Sequence, residues 1–143
     1  MKQRVLILCT GNSARSQMAE GWLRQLAGEQ MDVESAGTAP SQVNPLAIQV
    51  MAERAIDISH HRSKHLNEFL AQSFDYVITV CDQAAEQCPV FPGKAIRIHW
   101  SIPDPAAAQG THEERLAAFR QVRDDLERQL RSWVENLTTS GEA

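Results

Sequence analysis

The sequence predicts an α/β fold of three layers, a four-stranded parallel sheet with helices on both faces. Two observations lead there. Short apolar stretches at residues 5–8, 75–80 and 94–100 alternate with longer stretches of helical periodicity, the pattern of strands joined by crossover helices. Chemistry-bearing residues then fall just after strand ends: Cys9 after the first, Cys81 after the third, Asp104 after the fourth. Open parallel sheets bind ligands outside the carboxyl ends of their strands, so all three belong on one edge. The length, 143 residues, suits one core, and residues 1–143 are read as a single domain.

Each element has its own signal. Residues 5–8, Val-Leu-Ile-Leu, are continuously apolar, as a buried central strand is. Helix one is expected over 13–26, because Met18, Trp22 and Leu26 recur four apart with Ala19 and Leu23 beside them. Residues 32–36 read as a short second strand, and 37–42 as a turn-rich connection. Asn44 caps helix two, Pro45 takes its first position, and it continues to residue 55. A short helix is expected over 66–72. Residues 75–80 form the clearest strand, and 94–100 the fourth, ending on His99 and Trp100 with the indole packed. Thr111 and Glu114 form a capping box. Leu116, Phe119, Leu126, Leu130, Trp133 and Leu137 then mark one face of the last helix, and 138–143 should fray.

Composition narrows the function. Charged residues make up 22% and hydrophobic ones 43%, with a net charge of −4. A soluble protein follows, with no reason for nucleic-acid binding. No apolar run is long enough to cross a membrane, and the N-terminus lacks a signal-peptide pattern. A cytoplasmic monomer is the expectation. The three cysteines, Cys9, Cys81 and Cys88, argue against a structural disulfide framework.

The run Cys9-Thr10-Gly11-Asn12-Ser13-Ala14-Arg15-Ser16 lies between the first strand and first helix. Loop amides and a helix N-terminus there form a cradle for a tetrahedral oxyanion, from Thr10 through Ser16. Arg15 adds a planar fork for two oxygens. The same field favours a thiolate at Cys9, and Ser16 can donate to its sulfur. Gly11 permits close backbone approach or positive φ, and Asn12 tolerates a left-handed conformation. The loop is thus both receptor and nucleophile.

Cys81 and Cys88 are seven apart. On a continuous helix that is two turns, about 10 Å, beyond disulfide reach. A bond between them would require the segment to unwind. The residues alone leave open a redox switch and a pair of incidental thiols. His60, His61 and His65 suggest a metal cluster, yet Arg62 and Lys64 are interleaved, so a solvated basic segment without metal is expected. Asp104 stands between Pro103 and Pro105, which stiffen its loop. Its carboxyl suits protonation of a leaving oxygen, though Pro-Asp-Pro is also ordinary turn chemistry.

On these residues the chain resembles the arsenate reductases built on the low-molecular-weight tyrosine phosphatase fold, and more narrowly their thioredoxin-coupled type. The resemblance runs from Cys9 to Trp22 and through Ser35-Ala36-Gly37, Val43-Asn44-Pro45, Cys81, Cys88-Pro89, His99-Trp100 and Asp104-Pro105-Ala106. It implies arsenate as substrate, with phosphate or sulfate as competing anions. It implies Cys9 as nucleophile, Arg15 as anion ligand and Asp104 as acid. Cys81 and Cys88 would pass the disulfide onward to thioredoxin, with no bound cofactor. Some relatives carry a further loop cysteine where Ala14 stands. Some bind potassium beside the loop; Asn12, Glu20 and Ser35 match that site, while Arg62 and Lys64 replace its Thr and Asp. The Lys64 ammonium is then expected to take the ion's place. A tyrosine phosphatase using Cys9, Arg15 and Asp104 is the alternative. Ala106-Ala107-Ala108 follow where phosphatases of this fold carry a tyrosine, so no aromatic wall is expected.

Overall fold

The computed structural model describes residues 2–139. The chain runs β1 (Gln3–Cys9), α1 (Arg15–Ala27), β2 (Met31–Gly37), α2 (Pro45–Ala52), a 3-10 turn (Leu66–Phe69), β3 (Tyr76–Thr79), α3 (Asp82–Glu86), β4 (Ile96–His99), a second 3-10 turn (Pro105–Ala107) and α4 (His112–Thr139). All strand pairs are parallel, in the order β2-β1-β3-β4.

The register levels the strand ends. Cys9 pairs with Gly37, Leu8 with Thr79, and Thr79 with His99. From β1 the chain winds outward to β2 and then returns to build β3 on the other side. The crevice between the ends of β1 and β3 is therefore the topological switch point, where open α/β sheets place ligands. Cys9 closes one of those strands and Cys81 follows the other.

Alternation along β3 assigns the layers. Tyr76 meets Trp133 of α4 edge-on, with ring centroids 5.0 Å apart. Val77 and Thr79 face the other way and line a cleft with Ala85 and Cys88. Helices thus cover both faces, as the sequence predicts. On the α4 face, Trp22 Nε1 donates to Arg123 O at 3.0 Å and ties α1 to α4. Arg123 Nη1 donates to Val50 O at 2.9 Å and adds α2. Leu6, Leu8, Met18, Leu23, Ile78 and Phe119 fill the core and are fully buried. A smaller aromatic group, Phe69, Phe74 and Phe91, has centroid spacings of 6.0 and 5.7 Å. Trp100 packs on Trp133 at 6.4 Å, as expected for the end of β4.

Several boundaries differ from the sequence expectation. β1 reaches Cys9 itself, and α1 begins at Arg15 rather than 13, because residues 10–14 turn around the site. α2 stops at Ala52, ahead of Ala55 with φ of 60°. The helix expected over 66–72 is only the 3-10 turn Leu66–Phe69. α3 has five residues and ends before Cys88. Cys88 precedes Pro89, and a residue before proline is pushed out of the helical region. Cys81 and Cys88 are therefore not two turns apart on one helix. α4 continues through Thr138 and Thr139, which were expected to fray; residues 140–143 lie outside the described ones.

Candidate active site

Cys9 is buried at the floor of the loop. Its sulfur lies 2.9 Å from Ser16 Oγ and accepts the Asn12 N–H at 3.2 Å. The left-handed residue of the loop is Asn12, with φ of 45°, and not Gly11. Its side chain holds that conformation. Asn12 Nδ2 donates to Ser16 Oγ (2.8 Å) and Ser35 Oγ (2.9 Å). Its Oδ1 accepts from Gln17 Nε2 (2.9 Å) and the Lys64 N–H (2.8 Å).

A strap of backbone turns the loop carbonyls outward. Thr38 N–H donates to Cys9 O at 3.3 Å, Ala39 to Thr10 O at 2.9 Å, Ser41 to Gly11 O at 3.1 Å and Asn44 to Ser13 O at 2.9 Å. Gln17 Nε2 reaches Asn12 O at 3.2 Å. With the carbonyls bonded outside, the inner rim is left to amides. α1 starts behind Ala14, whose methyl cannot cap it, so its first N–H groups also face the cradle. Gly37 permits the close approach of β2: a Cβ there would lie 2.4 Å from Thr10 O and 2.9 Å from Asn12 N.

The cradle opens into a cavity of about 210 Å³ lined by Cys9, Thr10, Gly11, Ser13, Ala14, Arg15, Asp104 and Ala106. Arg15 Nη1 donates to Ile102 O at 3.1 Å, which holds the guanidinium beside the Asp104 loop. Asp104 is exposed, and its Oδ1 accepts the Ala106 N–H at 3.0 Å, so the carboxylate caps the turn Pro105–Ala107. Ala106 stands where an aromatic wall would be needed to stack a phenyl ring.

The second and third thiols occupy different surroundings. Cys81 caps α3: the Ala84 N–H points at its sulfur at 3.4 Å. The same sulfur lies 3.3 Å from Thr10 Oγ1, the residue next to Cys9. Thr10 Oγ1 also donates to Gln83 Oε1 at 3.1 Å. Cys88 is half-buried in a cleft of about 120 Å³ with Val77, Thr79, Ala85, Arg97, Ile98 and His99. Burial pushes its thiol up from the ordinary value, and Arg97 pulls the other way. Asp82, beside Cys81, accepts from Ser101 Oγ at 2.5 Å and meets His99 Nε2 at 2.8 Å. These bonds hold its carboxyl below the usual range.

The histidine segment is not the solvated stretch expected. The His61 and Lys64 side chains are 6% and 8% exposed. Residues 62–65 run behind the loop, and Gly37 bridges to His65. His61 Nδ1 lies 2.9 Å from Gln17 Oε1. Its burial lowers its pKa, against the attraction of Glu20. Ser35 Oγ donates to Glu20 Oε1 at 2.6 Å, and Lys64 Nζ is 3.9 Å from Glu20 Oε1 and 3.8 Å from Glu34 Oε1. Among the described residues, no three His, Cys, Asp or Glu side chains gather to hold a metal ion. The strap carries no sequence signal, because backbone donors serve the loop whatever their side chains, and Gln17 and Ser63 act through side-chain bonds that only the fold brings to the loop.

Residues 4–143 match the family model of the low molecular weight phosphotyrosine protein phosphatases. The chain belongs to this family. Among its relatives, the arsenate reductase of Halalkalibacterium halodurans is 46% identical over 134 residues, covering 94% of this chain and 96% of that one. A solved arsenate reductase in its oxidized state superposes with a TM-score of 0.81 at 31% identity, over 94% of this chain and 98% of the other. The thioredoxin-dependent arsenate reductase of Corynebacterium glutamicum gives 0.75 at 27% identity, over 97% of this chain and 63% of that longer one. The phosphoryl group of a phosphatase substrate and arsenate are both tetrahedral oxyanions.

Proposed function

We propose that this protein reduces arsenate to arsenite through Cys9, Cys81 and Cys88, and that thioredoxin recycles it. One observation carries the reading: the Cys81 sulfur lies 3.3 Å from the hydroxyl of Thr10, inside the anion loop. A phosphatase needs no thiol there. The reductase relatives at up to 46% identity favour the same substrate.

The steps follow from the residues. Loop amides and Arg15 hold arsenate while the Cys9 thiolate attacks arsenic. A sulfur–arsenic bond forms, and one oxygen departs as water after Asp104 supplies a proton. The Cys81 thiolate then attacks the Cys9 sulfur. The sulfur–arsenic bond breaks, its electron pair stays on arsenic, and arsenite leaves. Cys88 attacks Cys81 as a thiolate, freeing Cys9 and forming the Cys81–Cys88 disulfide. The dithiol of thioredoxin reduces that bond. The two electrons come from thiols throughout, so the scheme uses no further cofactor. The short α3 supports the last exchange, since only five helical residues lie between the two sulfurs.

Two finer readings accompany this. The Lys64 ammonium, near Glu20 and Glu34, replaces a potassium ion as counter-charge behind the loop. The cradle also accepts phosphate, so slow hydrolysis of small aryl phosphates is expected, without the ring-stacking wall a phosphotyrosine phosphatase needs. The test is arsenate-dependent NADPH oxidation with thioredoxin and its reductase. Wild type should turn over, and Cys9→Ser, Cys81→Ser and Cys88→Ser should not. Full coupled activity in Cys88→Ser would remove the three-thiol scheme.

A further inference from the structure

We propose that Ser63 is a positioning residue for the anion cradle: its hydroxyl keeps the Gly11–Asn12 peptide turned with the N–H toward the Cys9 sulfur and the carbonyl away from the anion. The inference rests on the anion-binding reading of the loop, which the reductase and phosphatase alternatives share. A planar trans peptide points its N–H and C=O in opposite directions. Asn12 N–H is aimed at the Cys9 sulfur, 3.2 Å away, at the floor of the cradle. The carbonyl of the same peptide, Gly11 O, must then be held outside.

Ser63 Oγ donates to Gly11 O at 2.9 Å, and the Ser41 N–H donates to it at 3.1 Å. The Ser41 N–H also reaches Ser63 Oγ at 3.1 Å. The three groups close on one another, with the serine proton committed to Gly11 O. Among the carbonyls of Cys9, Thr10, Gly11 and Ser13, Gly11 O alone receives a side-chain donor from a distant segment. It also precedes the strained residue, Asn12 at φ 45°, where the backbone gains least by staying as it is. A peptide turned the other way would lose both donors and present a carbonyl lone pair to an oxyanion.

Ser63 is itself well held. Gln17 Nε2 donates to Arg62 O at 2.9 Å, Lys64 N–H donates to Asn12 Oδ1 at 2.8 Å, and Gly37 N–H donates to Lys64 O at 2.8 Å. None of these bonds uses the Ser63 side chain, so its removal leaves the segment anchored. The hydroxyl therefore acts on the orientation of one peptide and not on the fold at large.

The experiment measures inorganic phosphate binding to the reduced full-length chain by isothermal titration calorimetry. Ser63→Ala should weaken phosphate about fivefold, the worth of one neutral hydrogen bond. KM for arsenate should rise by the same factor with kcat little changed, because a smaller share of the free protein is ready to bind. Ser63→Thr, which keeps the hydroxyl, should restore both. If Ser63→Ala does not fold, Ser63→Thr and Ser63→Val are compared, since they differ in the hydroxyl at nearly constant shape. Wild-type phosphate affinity in Ser63→Ala, or equal affinity in the Thr and Val proteins, overturns the proposal. Phosphate binding needs neither thiol exchange nor an electron donor. Loss of arsenate turnover in the wild type with intact phosphate binding would thus count against the reductase reading and leave this one standing.

Discussion

The two segments that follow β1 and β3 occupy equivalent places at the sheet edge, yet they are built in opposite ways. Between Asn12 and Leu23 only Ser13 and Arg15 escape full burial, and five successive loop carbonyls, Cys9 to Ser13, are bonded from outside. Between Asp82 and Ile98 only Ala84 and Phe91 are buried. Cys88 Sγ makes a long hydrogen bond to Pro89 O at 3.6 Å and is only partly buried against the core. Few buried contacts and solvent-exposed backbone mark a segment that opens at low cost. A receptor for a small anion has to be fixed before the anion arrives, whereas a sulfur that must reach its partner has to travel. The contrast fits the proposed division, anion binding in the first segment and thiol exchange in the second.

Substitutions can break this contrast, and the largest effects belong to the thiols. Cys9→Ser and Cys81→Ser should abolish arsenite release in any regime, whereas Cys88→Ser should release one arsenite per protein and stop, as read by arsenite chromatography. Next comes Asp104→Asn. It should slow arsenate-dependent thiol loss by about 10²- to 10⁴-fold while phosphate affinity stays near wild type, as the proposed role in protonating the leaving oxygen requires. Gly37→Ala attacks the fixed segment. Its methyl would lie 2.4 Å from Thr10 O, so a stability loss of about 1–3 kcal/mol is expected. Phosphate affinity should fall with it, measured by denaturant unfolding and calorimetry. Unchanged anion binding in that variant would mean that the loop is not held by β2.

Acid should loosen the fixed segment before the rest. Burial keeps His61 below its ordinary value of 6.5. The neutral form is therefore favoured in the folded state. Its contribution to stability is present above pH 6.5 and lost as pH falls through the lowered value. The melting temperature should drop as pH falls below 6.5, and His61→Gln should flatten that drop; an equal slope in both proteins removes the assignment. The smallest expected effect is none: potassium titrated at constant ionic strength should leave activity and melting temperature unchanged, since Lys64 already stands near Glu20 and Glu34. A rise in either would return the ion to that position.

Much of this was legible in the sequence for a physical reason. Apolar runs with a fixed period report burial directly, so β1, β3, α1 and α4 emerged with nearly correct limits. Cysteine and arginine across a strand-to-helix turn point to the cradle, whereas the flanking prolines indicate only a turn at Asp104, which its carboxylate caps; the acid role comes from the resemblance. The failures share a cause, since each depends on contacts between distant segments or on one backbone angle. The stretch holding His60, His61 and His65 reads as solvated because Arg62 and Lys64 are interleaved, and only the fold buries His61 near Glu20. Asn12, read as tolerant of a left-handed conformation, adopts it, while Gly11, which could have, does not; the bonds of Asn12 with Ser16, Ser35, Gln17 and Lys64 hold it there. The seven-residue cysteine spacing suggested two helical turns, but Pro89 disfavours helix at Cys88.

In the proposed mechanism a fixed anion cradle hands its sulfur chemistry to a mobile pair of thiols. Peptide mapping by mass spectrometry after one arsenate addition, without any reductant, tests it most directly. The prediction is a Cys81–Cys88 disulfide in the wild type and a Cys9–Cys81 disulfide in Cys88→Ser. Recovery of all three cysteines as free thiols, with arsenate unreduced, would contradict it.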